Sequence, residues 1–200
     1  MLVKHNNNSI SNITSAGSLA QGKMTLISSQ SASGSASIEF TSGIDSTYPI
    51  YRFEFINIHP ANDDVDFGFN MTTDGTNFNV TKTGTNIRAF HNESDTSADL
   101  TYHADDDIAQ GTGDHHISYS LGNDNDQATD GTLYLFNPSS TIFVKHYISR
   151  FSIGQYSDYA IDYNVAGYGN TTSAVTGCRF KMSSGNIDSG TIKLYGIKDS

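Results

Sequence analysis

The sequence predicts an all-β protein, an antiparallel β-sandwich of jelly-roll type preceded by an irregular N-terminal arm. Three observations support this fold class. From Ser37 onward, most segments alternate apolar and polar side chains with the period of two that β-strands require. No stretch of about a dozen residues has the i, i+3, i+4 apolar spacing of an amphipathic helix. Turn residues separate the alternating segments at short intervals, which is typical of sandwiches.

Residues 1–22 are predicted to form the arm and residues 23–200 the sandwich domain. The arm is rich in Ser, Asn, Gly and Ala, and its apolar side chains are Ile10, Ile13 and Leu19. Two interpretations of the arm remain open: it anchors the protein to a neighbour, or it packs on its own domain. Met24, in a first strand predicted at about 23–29, is grouped with the arm side chains as a candidate oligomer contact.

Two strands and a hairpin are predicted in the first half of the domain. The segment YPIYRFEFINIHP alternates aromatic with mixed side chains and stops at Pro60, because proline cannot continue the hydrogen-bonded ladder. The segment VDFGFNMT, at 65–72, alternates in the same way. Asp74 and Gly75 form a turn dipeptide that predicts a hairpin into a strand over 77–81.

The second half is predicted to contain a loop region followed by several strands. Residues 92–130 carry ten of the 21 acidic side chains and several histidines, and are interpreted as loop interrupted by one strand at 117–121. The later strands are predicted at about 132–137, 141–151, 159–168, 174–183 and 190–197.

The last two predicted strands are interpreted as a terminal hairpin. Its turn is placed at Gly185 and Asn186, with a second flexible point at Gly190. In this arrangement the final strand lies beside its predecessor and protects an edge that would otherwise pair with another chain.

Composition excludes several classes of protein. The formal net charge of −10 over 200 residues disfavours binding to nucleic-acid phosphates, which depends on cationic side chains. No apolar run approaches the roughly 20 residues of a membrane-spanning helix. The first residues lack the apolar stretch of a secretory signal, so the mature chain is expected to start near Met1. The single cysteine, Cys178, allows no internal disulfide and is interpreted as a small core residue.

No catalytic, cofactor-binding or metal-ligating residue is assigned. Asp124 and Asp126 begin the spacing of a calcium loop, but Ala128 breaks it, so calcium remains an open alternative. The triplets at 105–107 (DDD) and 114–116 (DHH) are the other candidates, and the two neighbouring histidines would point to opposite sides of a strand. A zinc site there would need distant partners.

Two further kinds of site stay open. Carboxylates from remote strands could form a glycosidase pair, because spacing alone does not reveal such a pair. Exposed tyrosines could form a platform for sugar stacking, with Tyr119, Tyr156, Tyr159 and Tyr168 as examples, although some must fill the core.

Four short motifs occur in a fixed order along residues 24–198. They are IDSTY at 44–48, NIHP at 57–60, FNPS at 136–139, and SGNI at 184–187 leading to LYGI at 194–197. Together they resemble a family of virion proteins from tailed phages, especially phages of marine bacteria. Relatives occur as the terminal domain of fibre-like proteins and as small free-standing proteins, and this chain is similar to the second kind.

The resemblance implies a non-enzymatic structural protein on the exterior of a tailed-phage virion, as a component of a tail fibre, tip or appendage engaged in host attachment. The implied partners are further copies of the chain, with a trimer as the expected homo-oligomer, other virion proteins, and a glycan of the host surface. A capsid decoration protein on the phage head is the first alternative. A carbohydrate-binding or carbohydrate-cleaving module is the second.

Overall fold

The structure, a computed structural model, describes residues 24–198, which contain thirteen β-strands and no helix. The strands are β1 (Met24–Ser35), β2 (Ile38–Phe40), β3 (Ile50–Pro60), β4 (Val65–Thr72), β5 (Lys82–Asn92), β6 (Ala98–Tyr102), β7 (Ile108–Gly111), β8 (His115–Leu121), β9 (Thr129–Phe136), β10 (Lys145–Gln155), β11 (Tyr159–Gly169), β12 (Gly177–Met182) and β13 (Ile187–Ile197). This part of the chain contains no helix that could span a membrane.

The strands form two layers of one continuous antiparallel sheet. The large layer has the order β1-β13-β3-β9-β10-β11-β5, and β6 and β7 both pair with the far side of β5. The small layer has the order β2-β12-β4-β8. A single residue pair, Gln155 with Leu121, joins the two layers where β10 meets β8. The sheet therefore folds over on itself, which confirms the predicted all-β, jelly-roll-like sandwich.

The core between the layers is built from aromatic rings. Phe180 in the small layer lies 5.0 Å, centroid to centroid, from both Phe53 and Phe55 of β3. Phe69 meets Tyr147 of β10 at 4.7 Å with nearly perpendicular rings. Edge-to-face packing of this kind is favoured by the charge distribution of the rings. The aromatic face predicted for β3 is therefore the face that the second layer covers.

One glycine makes room for this aromatic packing. Gly131 lies in the middle of β9, opposite Phe151 on β10 and Phe55 on β3. A Cβ atom on Gly131 would lie 2.6 Å from the Phe151 ring and from the Arg150 carbonyl oxygen. The missing side chain allows the Phe151 and Phe55 rings to approach to 5.0 Å.

The predicted terminal hairpin is wrong. β12 pairs with β2 and β4 in the small layer, whereas β13 lies between β1 and β3 in the large layer. Gly185 and Asn186 therefore connect the two layers, and the strand at the edge of the large layer is β1. Glycine and asparagine indicate that the chain changes direction, but they do not specify which strand receives the returning chain.

The connection between β12 and β13 is held by backbone and side-chain contacts. The Asn186 carbonyl accepts a hydrogen bond from the Ala61 N–H at 3.0 Å, and the Asn186 amide donates to the Gly34 carbonyl at 2.8 Å. Gly190 has a φ of 123° within an irregular stretch of the β13–β3 register. A Cβ atom there would lie 2.6 Å from the Asn57 carbonyl oxygen, so the bulge at this position requires glycine.

Two other local predictions are wrong. Asp74 and Gly75 do not join a hairpin, because residues 77–81 form no strand and β4 pairs with β8 and β12 instead. Asp74 instead accepts the N–H groups of Thr76 and Asn77 through Oδ1 at 2.9 and 2.8 Å, which closes a local turn. The region 92–130, interpreted as loop with one strand, contains β6 and β7 as well as β8.

Candidate functional site

A cleft at one end of the sandwich brings together most of the ionisable and aromatic side chains that could carry function. We call it the acidic–aromatic cleft. Its acidic half is a cavity of about 360 Å³ lined by Asp64, Asp66, Arg88, His103, Asp105, Asp106, Tyr119, Ser120, Gln155 and Tyr156. Its aromatic half is a cavity of about 350 Å³ lined by Arg88, Phe90, Ser97, Tyr119, Gln155, Tyr156, Ser157, Tyr159 and Ile161.

A cluster of histidines and carboxylates forms the wall of the acidic half. His116 on β8 places Nδ1 2.8 Å from Asp106 Oδ1 and 3.5 Å from Asp66 Oδ2. The other oxygen of Asp106, Oδ2, accepts a hydrogen bond from Tyr163 Oη at 2.8 Å and lies 3.0 Å from His103 Nδ1. The cluster therefore joins β4, β8, β11 and the β6–β7 loop through one almost completely buried carboxylate.

Burial and charge set the protonation of this cluster. Burial alone would raise the pKa of Asp106, but the hydrogen bonds and charges of His116, Tyr163 and His103 lower it. Burial raises the pKa of Asp66, against the hydrogen bond from the Ser120 N–H and the charge of His116. Although burial lowers the pKa of His116, the hydrogen bond to Asp106 and the charges of Asp66 and Asp106 raise it above its usual range.

A chain of hydrogen bonds runs from this cluster into the core. The Asn86 amide on β5 donates to Tyr163 Oη at 2.7 Å, and Asn86 Oδ1 lies 2.8 Å from His115 Nε2. His115 Nδ1 lies 2.7 Å from Tyr147 Oη. Because an amide oxygen only accepts, Nε2 of His115 must donate to Asn86.

The pKa values of the two neighbouring histidines are therefore shifted in opposite directions. Burial and the nearby charge of Lys82 lower the pKa of His115 to about 3, so its ring is neutral and Nδ1 accepts from Tyr147. His116 faces two carboxylates instead, and the hydrogen bond to Asp106 and the charges of both carboxylates raise the pKa of its imidazole. The sequence prediction that His115 and His116 point to different sides is confirmed by their separate partners.

The aromatic half of the cleft surrounds one arginine. The Arg88 guanidinium lies 5.2 Å from the ring centroids of both Phe90 and Tyr119. Arg88 also donates from Nη1 to Tyr119 Oη at 2.6 Å. Tyr159 packs its ring 5.7 Å from Phe90, and Tyr156 is 41% exposed at the mouth. Rings around a cation form a surface that can stack on the apolar face of a sugar.

A second feature lies on the outer face of the large layer, away from the small layer. Residues that lie directly opposite each other on neighbouring strands form two adjacent rows across this face. Both rows begin on β1 and cross β13 and β3; one ends on β9 and the other continues to β10. We call their apolar members the outer band: Met24, Leu26, Ile50, Tyr134, Phe136, Ile148, Tyr195 and Ile197. None of the eight is buried, and Leu26 and Ile148 are 52% and 46% exposed.

A polar groove of about 650 Å³ lies beside the outer band on the same face. Four of its five charged side chains form pairs: Arg52 binds Glu54 at 2.9 Å, and Arg150 binds Asp162 through two hydrogen bonds of 2.8 Å. The fifth, Asp130, accepts a hydrogen bond from the Asn57 N–H at 2.8 Å, so the groove carries one formal negative charge beyond the two pairs.

A third feature is an exposed apolar tip between β9 and β10. Ile142 and Phe143 are 73% and 65% exposed. The backbone beneath them is fixed by Lys145, whose fully buried ammonium group donates to the carbonyls of Ser140 and Phe143 at 2.7 and 2.6 Å. The two side chains are therefore held out from a rigid loop.

The residues predicted as an oligomer contact have different outcomes. Ile10, Ile13 and Leu19 lie outside the described residues. Met24 belongs to the sheet, because it is the first residue of β1 and pairs with Ile197. Its side chain is 42% exposed and lies in the outer band. This agrees with the first strand predicted at about 23–29, and the role of Met24 as an oligomer contact stays a prediction.

Other sequence-based candidates are placed as follows. Cys178 is completely buried, and burial raises the pKa of its thiol to about 12, which confirms it as a core residue and not a nucleophile. Tyr119 is buried and does not belong to an exposed platform. Within residues 24–198, one group of three ligating side chains lies close enough to hold a metal ion, and neither Asp124 nor Asp126 belongs to it.

That group consists of Asp66, Asp106 and His116. The sequence pointed to two of these three residues, because Asp106 and His116 belong to the candidate triplets at 105–107 and 114–116. Asp66 was missed because it is one polar residue on an alternating strand. Only the pairing of β4 with β8 brings it to His116.

Comparison of the chain with protein-family models, with curated proteins and with solved structures gives no match.

Proposed function

We propose that the protein is a non-enzymatic structural component of the exterior of a tailed-phage virion, located in a tail fibre, tip or appendage. Its partners are further copies of itself, as a trimer, and other virion proteins. The ordered motifs that resemble marine-phage virion proteins support this proposal. The observation that carries it is the outer band, an apolar sheet face without a partner in the described structure.

The outer band supports assembly because eight apolar side chains on one sheet face, interrupted in the second row by Arg52, are the kind of exposed apolar patch that marks protein–protein interfaces. It extends from the edge strand β1 to β10, and its side chains stand on regular strands instead of flexible loops. The net charge of −10 makes copies of the chain repel each other at long range. Apolar contact, and not charge attraction, must therefore hold the subunits together.

The side chains that could act in catalysis are either hydrogen-bonded to neighbours or buried, which supports a structural role over a catalytic one. Both oxygens of Asp106 are already engaged by His116 and Tyr163, and the Cys178 thiol is buried with a raised pKa. The charged pairs of the outer groove are likewise satisfied by each other.

The first experiment measures assembly. Untagged protein is examined by size-exclusion chromatography with light scattering, and the expected result is a trimer. Ile148→Glu places a charge in the outer band and should give monomers with unchanged circular dichroism. Thr172→Glu, at an exposed position in the loop before β12, is the matched control and should remain trimeric. A wild-type monomer would contradict the proposal.

The second experiment places the protein on a particle. Antibodies raised against the recombinant domain are used on purified phage particles, with gold labelling in electron microscopy. Labelling of the tail supports the proposal, labelling of the head supports the decoration alternative, and absence from particles rejects both. Deletion of residues 2–22 should abolish attachment to the particle without unfolding the sandwich.

Carbohydrate binding is a second candidate function, and the aromatic half of the cleft favours it. Tyr156, Tyr159 and Arg88 form a surface suited to a sugar ring. Asp66 and Asp106 have pKa values shifted in opposite directions, which is also the pattern of an acid–base pair. The engagement of both Asp106 oxygens favours binding over cleavage.

A glycan array and a reducing-sugar assay separate these alternatives. Binding that is lost in Tyr156→Ala without sugar release indicates a receptor-binding module. Sugar release that is lost in Asp106→Asn indicates an enzyme and contradicts the non-enzymatic role. Tyr168→Ala, on the outer face away from the cleft, is the control for both assays.

A further inference from the structure

We propose that Asp66, Asp106 and His116 form a binding site for a divalent transition-metal ion of the zinc class. The three residues come from β4, the β6–β7 loop and β8. One ligand atom from each lies within 4.8 Å of the other two. This site is independent of the proposed assembly role, so either can fail without the other.

The distances between ligand atoms fit a tetrahedral ion. Zinc binds histidine nitrogen and carboxylate oxygen at about 2.0–2.2 Å, which places neighbouring ligand atoms about 3.4 Å apart. His116 Nδ1 lies 2.8 Å from Asp106 Oδ1 and 3.5 Å from Asp66 Oδ2. The separation from Asp66 already matches the required value, whereas His116 Nδ1 and Asp106 Oδ1 must move apart by about 0.6 Å to admit the ion.

Groups behind the ligands fix their orientation. Asp106 Oδ2 accepts a hydrogen bond from Tyr163 Oη at 2.8 Å, and Asp66 Oδ1 accepts one from the Ser120 N–H at 3.0 Å. Each carboxylate is therefore held by one oxygen and turns the other oxygen toward His116. Hydrogen bonds of this kind orient metal ligands in proteins and strengthen binding.

Access and charge also suit an ion. His116 lines another cavity of about 210 Å³, which shares no lining residue with the acidic half of the cleft, so a fourth ligand such as water can approach. Two carboxylates with a neutral imidazole carry a charge of −2, which a divalent ion neutralises. The site thus resembles the open type, with three protein ligands and one exchangeable position.

The ligand types select the metal. Calcium and magnesium prefer sites made of oxygen ligands, with six or more positions, whereas an imidazole nitrogen suits zinc, cobalt, nickel or copper. We therefore expect Zn²⁺ to bind here and Ca²⁺ not to bind. This site is thus not the calcium site that the sequence left open.

The test is calorimetric titration of untagged, chelator-treated, full-length protein with Zn²⁺ and, separately, with Ca²⁺. We expect one equivalent of Zn²⁺ and no heat from Ca²⁺. His116→Gln and Asp66→Asn should each weaken Zn²⁺ binding by more than about 100-fold, because they remove a ligand. Tyr163→Phe keeps the ligands but removes their support, and should weaken binding by about tenfold.

Control variants exclude other histidines. His91 lies 3.1 Å from Asp95 in an exposed pair, so His91→Gln should leave Zn²⁺ binding unchanged, as should His5→Gln in the arm. Binding of Co²⁺ gives a second readout, since a tetrahedral site has a strong visible absorption that Asp66→Asn should abolish. The proposal is overturned if Zn²⁺ fails to bind at 1 mM, or if folded His116→Gln or Asp66→Asn binds it as tightly as the wild type.

Discussion

The two faces of the large layer follow the same alternating pattern but differ in how much of their apolar side chains is exposed. On the inner face, Phe53, Phe55 and Phe151 pack against rings of the small layer and are almost completely buried. On the outer face, Leu26 and Ile148 are about half exposed. The strands supply apolar side chains to both faces, but the described chain supplies a second layer for only one.

This difference shows that apolar alternation alone does not identify the core of a monomer. The inner face is covered by the small layer and its apolar side chains are buried, so its contacts stabilise the fold. The outer band has no such layer, so its apolar side chains contribute little to the fold and are available to a partner. Variants on the two faces should therefore affect different measurements.

The largest effect is expected from Phe180→Ala. Phe180 lies at the centre of the ring cluster and contacts Phe53 and Phe55 at 5.0 Å. Its removal leaves a cavity and should lower the free energy of unfolding by about 3–5 kcal/mol, measured by urea denaturation. A loss below about 1 kcal/mol would show that the two layers are not held together by this cluster.

A smaller effect is expected from Gly131→Ala. The added methyl group would lie 2.6 Å from the Phe151 ring, so the rings must move apart. Overpacking of this kind should lower the free energy of unfolding by about 1–3 kcal/mol in the same assay. Gly113→Ala is the matched control and should be neutral, because no atom lies within 4 Å of the new methyl group. Equal effects for both variants would contradict the tight fit.

A change in pH dependence is expected from Lys82→Met. Lys82 is a polar exception on the inner side of β5, where its ammonium group donates to Asn70 Oδ1 at 2.7 Å. Burial lowers its pKa to about 8 from the usual 10.5. Between these values the unfolded chain holds a proton that the folded chain has lost, so this group makes stability increase as the pH rises from 8 to 10.5.

Lys82→Met should lack this increase, so its free energy of unfolding relative to the wild type should fall from pH 8 to pH 10.5. Urea denaturation at several pH values measures it. Lys193→Met, at a half-buried position on β13, is the control and should follow the wild-type profile. Parallel profiles for wild type and Lys82→Met would show that Lys82 does not titrate in this range.

The smallest effect on folding is expected from Ile148→Ala. Ile148 lies in the outer band, and its truncation should change the free energy of unfolding of the separated subunit by no more than about 0.5 kcal/mol. Ile153 is the matched residue, because it lies on the same strand and is 2% exposed on the inner face. Ile153→Ala should cost about 2–5 kcal/mol. Similar losses for both would contradict the distinction between the faces.

Sequence patterns predicted a strand best where its two faces carry clearly different types of side chain. β3 and β11 lie close to their predicted bounds. In β3, aromatic side chains alternate with mixed ones and Pro60 ends the strand; in β11, apolar and polar residues alternate. β1 extends to Ser35, six residues beyond its prediction at 29, since an edge strand rich in Ser and Ala needs only backbone pairing with β13. β6 and β7 were missed because their residues are polar or exposed on both sides.

Pairing partners could not be predicted, and neither could the complete candidate site. Asp106 and His116 were considered separately, ten residues apart in sequence, but nothing local indicates that Asp66 joins them. Their meeting depends on which strand lies beside β4. Alternation specifies which side of a strand faces the core, whereas strand order is decided by packing between distant segments.

The place of β13 has a consequence for biosynthesis. This strand fills the position between β1 and β3, although it is the last of the thirteen to leave the ribosome. Until then the nascent chain carries β1 without its partner and β3 with one open edge, and such edges readily pair with other polypeptides. Translation that stops before residue 187 should therefore yield aggregates, and holding factors that shield the open edge should raise the yield of soluble protein.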